Sequence, residues 1–445
     1  MSKHDESQTE SKDRGEAAPA ATGPLRVTGL ASGGDAVGRL SDGRVVFVDG
    51  GVPGDCVELV DVTVRKKLIK ARIGRLIEPS SDRVQPRCPH FGSCGGCRWQ
   101  HVRYGAQLDA KRTIVRDALE RIGGLVFEKD IEIIASPDPY GYRARARLVE
   151  SQGMVGYRMR GSHAIHGIAE CPILVPAAEE ALTQLVRSVS GAERDAIVEE
   201  TAVAPRRRGR TLERIVSAGT SGPATVVEAS KRPGHGRGHK VRGERNARVV
   251  RGSVTLDVLG ERLRVSSGSF MQGNALLWDA LAEEVRSQCT ARLGEKTPER
   301  FIELYAGVGF LTLPLARRGL SGVAIESNRS ALADLGANLS SSELSKQVEV
   351  IRGRVEARGD LERLFAAADV LLADPPRIGL EATVRDAIAS AGPARLVYVS
   401  CDPATLARDL RVFAKAGYRL ESVRVLDLFP QTPHVEVVVR LERVE

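Results

Sequence analysis

The sequence predicts an α/β protein in which a parallel, doubly wound sheet ends in an antiparallel hairpin, preceded by a β-rich central region and a small amino-terminal β barrel. Three observations predict it. From Ser266 onward, apolar runs near Phe301 to Leu304, Ser321 to Ile325, Val348 to Arg352, Val370 to Ala373 and Leu396 to Ser400 alternate with helix-length stretches such as Leu276 to Cys289. That alternation requires parallel strands joined by crossover helices. The last two runs, Glu421 to Leu428 and Val435 to Leu441, leave no room for a crossover and must pair antiparallel. Between Leu25 and Pro79 the runs are short (Val45 to Val48, Cys56 to Val64, Lys70 to Ile77) and separated by Gly-containing turns, the spacing of a small antiparallel barrel.

The elements before Ser266 follow from composition and punctuation. Residues 1–24 are charged and small and lack aromatics, so they predict a disordered tail that buries too little to order itself. A helix is predicted from Tyr104 to Ile122, stopped by Gly123 and Gly124. From Glu128 to about Val265 the pattern is mixed and strand-rich, and Arg143, Arg145 and Arg147 alternate so as to share one strand face, either a surface for RNA or a solvated face. The expected domains are therefore a tail (1–24), a barrel (25–79), a cysteine-bearing and β-rich central domain (80–265) and a doubly wound domain (266–445).

A net charge of +8 over 445 residues favours a polyanionic partner. Between Pro205 and Arg251 thirteen Lys and Arg stand against three Glu, so this stretch is either a solvated insertion or a phosphate-contacting surface. No run reaches the roughly 18 apolar residues of a membrane span, and residues 1–24 do not resemble a signal peptide, so the expected location is the cytoplasm. Of the seven cysteines, Cys88, Cys94, Cys97 and Cys171 lie among Gly, Pro and His residues and suggest a metal or cluster site rather than a disulfide ladder. Four thiolates suit either a [4Fe-4S] cluster or a structural zinc.

Three motifs carry chemistry. In FIELYAGVGFLTLPLA a strand is followed by Gly307 and Gly309 and then a helix, with Thr312 where a dinucleotide fingerprint needs its third glycine. Glu326 ends the second strand, where it can accept from ribose hydroxyls, so the ligand is adenosine-containing without a diphosphate, as in S-adenosyl-L-methionine. VLLADPPRIGL ends the fourth strand on Asp374, whose backbone the following prolines fix; Arg377 replaces the aromatic residue that would stack on an amino-group target. LVYVSCDPATLARDL sets Cys401 before a helix whose amino terminus is expected to lower the thiol pKa. Glu436, in FPQTPHVEVVV, begins the last strand and is the candidate proton acceptor.

These segments, in this order, resemble the RNA (uracil-5-)-methyltransferases of the bacterial 23S ribosomal RNA type. CPHFGSCGGCRWQH and AECPI resemble the iron-sulfur ligand set of that family, the barrel resembles a TRAM domain, and SFMQGNA, DPPR, SCDPATLARDL and FPQTPHVE complete the likeness from Leu25 to the end. The resemblance implies a Rossmann-like S-adenosylmethionine-dependent methyltransferase domain beside an OB-like TRAM barrel. Gln272, Glu326 and the Tyr305 to Gly309 loop would bind the cofactor, and Asp374 would hold the target base. Cys401 would be the nucleophile, Glu436 the general base, and Cys88, Cys94, Cys97 and Cys171 the ligands of a [4Fe-4S] cluster, with structural zinc as the alternative. Gly353, Arg354 and Val355 depart from the acidic or amide residue expected against the adenine. The implied partner is structured RNA, 23S ribosomal RNA, with transfer RNA uridine-54 as the alternative substrate; no membrane or protein partner is implied. A non-catalytic RNA-binding assembly factor is the alternative from a different class.

Overall fold

The structure is a computed structural model that describes residues 23–65, 68–190, 212–220, 224–229 and 252–444. The expected tail lies almost wholly outside these residues, as does most of the basic 205–251 stretch. Two compact units are present, one running to Gln85 and adding His101–Ala106, the other formed by Pro86–Gln100 and Gln107 onward.

In the first unit, β1 (Leu25–Leu30), β2 (Ala36–Arg39), β3 (Val45–Asp49), β4 (Cys56–Arg65) and β5 (Leu68–Glu78) close a barrel in the order β1-β2-β3-β5-β4. The expectation of a wholly antiparallel barrel is corrected at one seam, where β3 and β5 run parallel. The physical reason is the excursion through β4, which crosses the barrel and returns the chain beside β3 in the same direction. Val27, Val46, Val48, Val52 and Val57 fill the interior.

From Gln107 on, α1 (Tyr104–Ala118) belongs to the second unit; it runs into one π-helical turn and stops at Gly124, whose left-handed backbone (φ 66°) returns its N–H to Glu120 O. The sheet β11-β10-β7-β8-β9 comprises β7 (Arg145–Ser151), β8 (Met154–Arg158), β9 (Ile165–Gly167), β10 (Leu212–Ser217) and β11 (Thr225–Ala229). It packs Ala146, Leu148 and Val216 against Leu182 and Leu185 of α2 (Pro176–Ser190). A two-stranded ribbon, β12 (Ser253–Val258) with β13 (Glu261–Ser266), leads to α3 (Trp278–Thr290).

The large sheet is formed by β6 (Glu132–Ile134), β14 (Arg300–Leu304), β15 (Ser321–Glu326), β16 (Val348–Arg352), β17 (Val370–Ala373), β18 (Arg395–Ser400), β19 (Tyr418–Leu426) and β20 (Glu436–Arg443). Its order is β16-β15-β14-β17-β18-β20-β19-β6. Strands β14 to β18 are mutually parallel, and β20 is inserted antiparallel between β18 and β19. The short β6, which the sequence reading left in the central region, pairs parallel with β19 and forms an edge. The crossovers pass through α4 (Thr312–Arg317), α5 (Arg329–Ser341), α6 (Leu361–Ala366) and α7 (Ala382–Ala391), and α8 (Pro403–Lys415) links β18 to β19. One apolar core covers each face, as strands buried on both sides require.

Arg395 locks the base of this sheet. Fully buried, it donates to the carbonyls of Cys289, Ala291 and Arg292 at the end of α3 and to Glu442 of β20. Removing one partner of a buried ionic cluster strands the rest, at a cost of about 3 kcal/mol or more. Arg395→Met is expected to lower the unfolding free energy by that amount, read as a lower urea midpoint with the m-value kept; a loss below about 1 kcal/mol would contradict the assignment.

Candidate active site

All five parallel strands end at one edge, where open α/β sheets bind ligands. After β14 the chain turns through Tyr305 (φ 64°), Gly307 (φ 59°) and Gly309 (φ 91°). A methyl group on Gly309 would stand 2.5 Å from the Leu313 side chain, so glycine is required there for close helix packing as well as for its backbone angle. Gly307 N–H donates to Glu326 Oε2 (2.9 Å), while Glu326 Oε1 accepts from Ser327 N–H (2.6 Å) and Asn328 N–H (2.5 Å). The loop and the acidic residue at the end of β15 are thereby fixed to one another.

A cavity of about 240 Å³ opens beside them, lined by Tyr305, Glu326, Pro376, Ile378 and the segment from Gly353 to Glu356. The three residues that depart from the family pattern thus form its wall. Glu356, which sequence reasoning missed, accepts the Tyr305 hydroxyl (2.8 Å), and Arg354 pairs with Glu381 (3.2 Å). The signal available was only a carboxylate two residues after Arg354.

A second, larger cleft of about 990 Å³ contains eleven of the twelve residues singled out from sequence: Gln272, Tyr305, Gly307, Glu326, Asp374, Cys401, Glu436 and the four cysteines Cys88, Cys94, Cys97 and Cys171. Gly309 does not line it; it supports the loop from behind. Asp374 ends β17 with its N–H toward Leu304 O (3.5 Å), and Cys401 ends β18. Ser400 pairs with Val437, so Glu436 enters β20 across from Cys401.

Burial dominates the electrostatics. Asp374 and Glu436 are desolvated together, each carboxyl is pushed up, and Asp374 raises Glu436 further while Arg377 opposes it. Cys401 is pushed up to about 11 by burial and by the neighbouring Glu436 and Asp374, with Arg377 pulling the other way. This corrects the expectation of a lowered thiol pKa. The amino terminus of α8 is capped by Asp402, whose carboxylate accepts Thr405 N–H (2.9 Å), so a negative charge already answers the helix dipole. Glu303, also missed, is buried behind the loop, bonded by the Thr312 hydroxyl (2.5 Å) and pushed up to about 8.

The far wall of the cleft carries the four cysteines, all unpaired as disulfides. Burial pushes Cys97 up to about 11 and Cys171 up to about 12, with Cys94 and Cys88 raising Cys97 further and Cys97 and Cys88 raising Cys171. Among the described residues no three His, Cys, Asp or Glu side chains converge as ligands of one ion. The cysteine loop is bound to β8, with Gly95 N–H donating to Arg158 O (3.1 Å). Arg143, Arg145 and Arg147 do line the cleft, but Arg145 is buried and bonded to Ser217 Oγ (2.8 Å) and Ser269 O (2.5 Å), which makes it a tie between elements rather than a phosphate contact. Among the described residues no helix is long and apolar enough to cross a membrane.

Glu303 gives a stability test. Its folded pKa is raised, so its contribution is full below the unfolded value near 4.5 and is lost as pH rises through about 8. Glu303→Gln should melt progressively higher than the parent as pH climbs from 6 to 9; a constant difference across that range would refute the burial argument.

Residues 236–444 match the tRNA (Uracil-5-)-methyltransferase family, and residues 21–66 match the TRAM domain. An uncharacterized RNA methyltransferase of Thermosynechococcus vestitus is 34% identical over 95% of this chain and 98% of its own length. The 23S rRNA (uracil(1939)-C(5))-methyltransferase RlmD of Halomonas elongata is 32% identical over 94% of this chain and 89% of its own. The fold is shared with the tRNA (uracil-54, C5)-methyltransferase of Pyrococcus abyssi, solved in complex with S-adenosyl-L-homocysteine, at a TM-score of 0.67 and 23% identity over 94% of this chain and 99% of that one. With the cofactor loop, the Asp-Pro-Pro turn and the cleft cysteine assembled at one sheet edge, the chain belongs to the RNA (uracil-5-)-methyltransferases, enzymes that take their methyl group from S-adenosyl-L-methionine.

Proposed function

We propose that the protein methylates carbon 5 of one uridine in 23S ribosomal RNA through a covalent bond between Cys401 and carbon 6 of the base. The observation that carries this reading is that Cys401, Asp374 and Glu436 share one cleft with the cofactor loop. The ribosomal substrate is supported by the name of the Halomonas elongata relative.

Carbon 5 of uracil is a weak nucleophile, so electrons are first pushed into the ring. The Cys401 thiol gives up its proton to water in the cleft as its sulfur bonds to carbon 6, and Asp374, whose carboxyl burial pushes up to about 7, in its protonated form donates a hydrogen bond to the ring oxygen where charge develops. S-adenosyl-L-methionine supplies the methyl group as an electrophile, and carbon 5 attacks it. Glu436 then takes the carbon 5 proton, and the bond between sulfur and carbon 6 breaks to restore the ring. A thiol cannot reach a stacked base, so the uridine enters the cleft extruded from its RNA, with the TRAM barrel holding flanking RNA.

The four cysteines fit a thiolate-bound group, since all four are unpaired and share one wall. Four thiolates suit a [4Fe-4S] cluster or a single zinc, and the likeness of CPHFGSCGGCRWQH and AECPI to the family's iron-sulfur ligand set favours the cluster. Such a group would fix the loop and the wall against which RNA lies. Protein purified without oxygen should carry iron and labile sulfide, about four of each per chain; one zinc and no sulfide would overturn this.

Labelled S-adenosyl-L-methionine with 23S ribosomal RNA fragments should place label in 5-methyluridine, whereas label in transfer RNA alone would keep the chemistry and overturn the substrate. Cys401→Ala should abolish methylation with RNA affinity kept; undiminished methylation would refute the nucleophile. Because the resting thiol ionises near 11, the rate of adduct formation should climb without a plateau from pH 6 to 9. A plateau by pH 7 would mean the thiol is already ionised.

A further inference from the structure

Gln107 and Lys111 lie one turn apart on α1, both fully buried. Lys111 Nζ donates to Asp427 Oδ1 (2.5 Å) and to Phe429 O (2.9 Å). Gln107 Nε2 donates to Trp99 O and to Gln431 Oε1, and Gln107 Oε1 accepts Gln431 N–H, all at 3.0 Å. Gln431 O in turn accepts the N–H groups of Arg98 and Trp99, both at 2.9 Å, and Gln431 is held in the left-handed region (φ 67°). Trp99 stands two residues after Cys97, and Gln431 five residues before Glu436. One amide therefore bonds both the cysteine loop and the segment that delivers Glu436, without lining the cleft itself.

We propose that Gln107 is a positioning residue that couples the two, so that ligation of the cysteine loop sets where Glu436 stands against the target base. This rests on Glu436 being the base that removes the carbon 5 proton. A glutamate displaced from carbon 5 leaves the first half of the reaction intact: sulfur adds to carbon 6 and the methyl group transfers. The carbon 5 proton then stays, the bond to Cys401 cannot break, and the methylated protein–RNA adduct persists. A substitution that merely loosened the fold would instead depress both halves together.

The test uses full-length, cluster-loaded enzyme with the RNA that the parent methylates, and Gln107→Met, which preserves length and burial but donates no hydrogen bond. With cluster absorption retained, adduct formation should proceed at the parental rate and its resolution should slow about tenfold or more, as the amide's three buried hydrogen bonds are lost. Resolution at the parental rate, or formation and resolution falling together, would overturn the coupling. Glu436→Gln is the control: if it accumulates no adduct, the base assignment beneath the proposal fails whatever Gln107→Met does. Hydrogen exchange gives an independent readout. On removing iron from the parent, amides from Asp427 to Glu436 should exchange faster while those of β18 stay protected, and in Gln107→Met that response should vanish. Exchange in this segment indifferent to iron removal would equally overturn it.

Discussion

The site depends on the direction and register of β20. A strand running parallel to its neighbours would deliver its first residue at the wrong end of the sheet. Because β20 is antiparallel and pairs Val437 with Ser400, Glu436 arrives at the same edge as Asp374 and Cys401. A slip of one residue would turn Glu436 to the opposite face and drive each apolar side chain of the strand into the core that its neighbour now fills. The buried pattern Val437, Val438, Val439, Leu441 therefore fixes the position of a carboxylate.

Placing ionisable groups at that edge has an electrostatic consequence. Glu303, Asp374, Glu436 and Cys401 are crowded into a region where solvent stabilises little charge, with Arg377 the cation acting on both Cys401 and Glu436. Burial thus biases the site toward its protonated forms. The proposed mechanism is proton management as much as methyl transfer, and groups poised above their solution values can give protons as well as take them.

The opposite wall is built from a different part of the chain, and buried polar bonds join it to the sheet edge. Trp99, Gln107, Lys111, Asp427 and Gln431 form a connected set in a dry interior, where leaving any one unpaired would cost more than the set gains by flexibility. Tyr142 adds its hydroxyl to Pro430 O (2.9 Å) and Asn274 donates to Asp427 O (3.3 Å), so the loop before β20 is held from several sides.

Periodicity and punctuation in the sequence determined most of this protein. Alternating strand and helix lengths announced the parallel sheet, the two uninterrupted final runs announced the antiparallel pair, and the gathering of the glycine loop, Asp374, Cys401 and Glu436 at one sheet edge was legible because each lies at a strand end. What the sequence could not express was adjacency between distant segments. The parallel β3–β5 seam, the insertion of β20 between β18 and β19, the recruitment of β6 to the large sheet and the burial of Arg145 are pairings chosen by tertiary packing. The raised thiol of Cys401 was equally hidden: the helix that follows it is local information, but Asp402 as its cap and the carboxylates across the cleft act through space. Local propensity writes strands and turns into neighbouring residues, whereas desolvation and charge coupling depend on which distant residues fold alongside, and only the tertiary structure decides that.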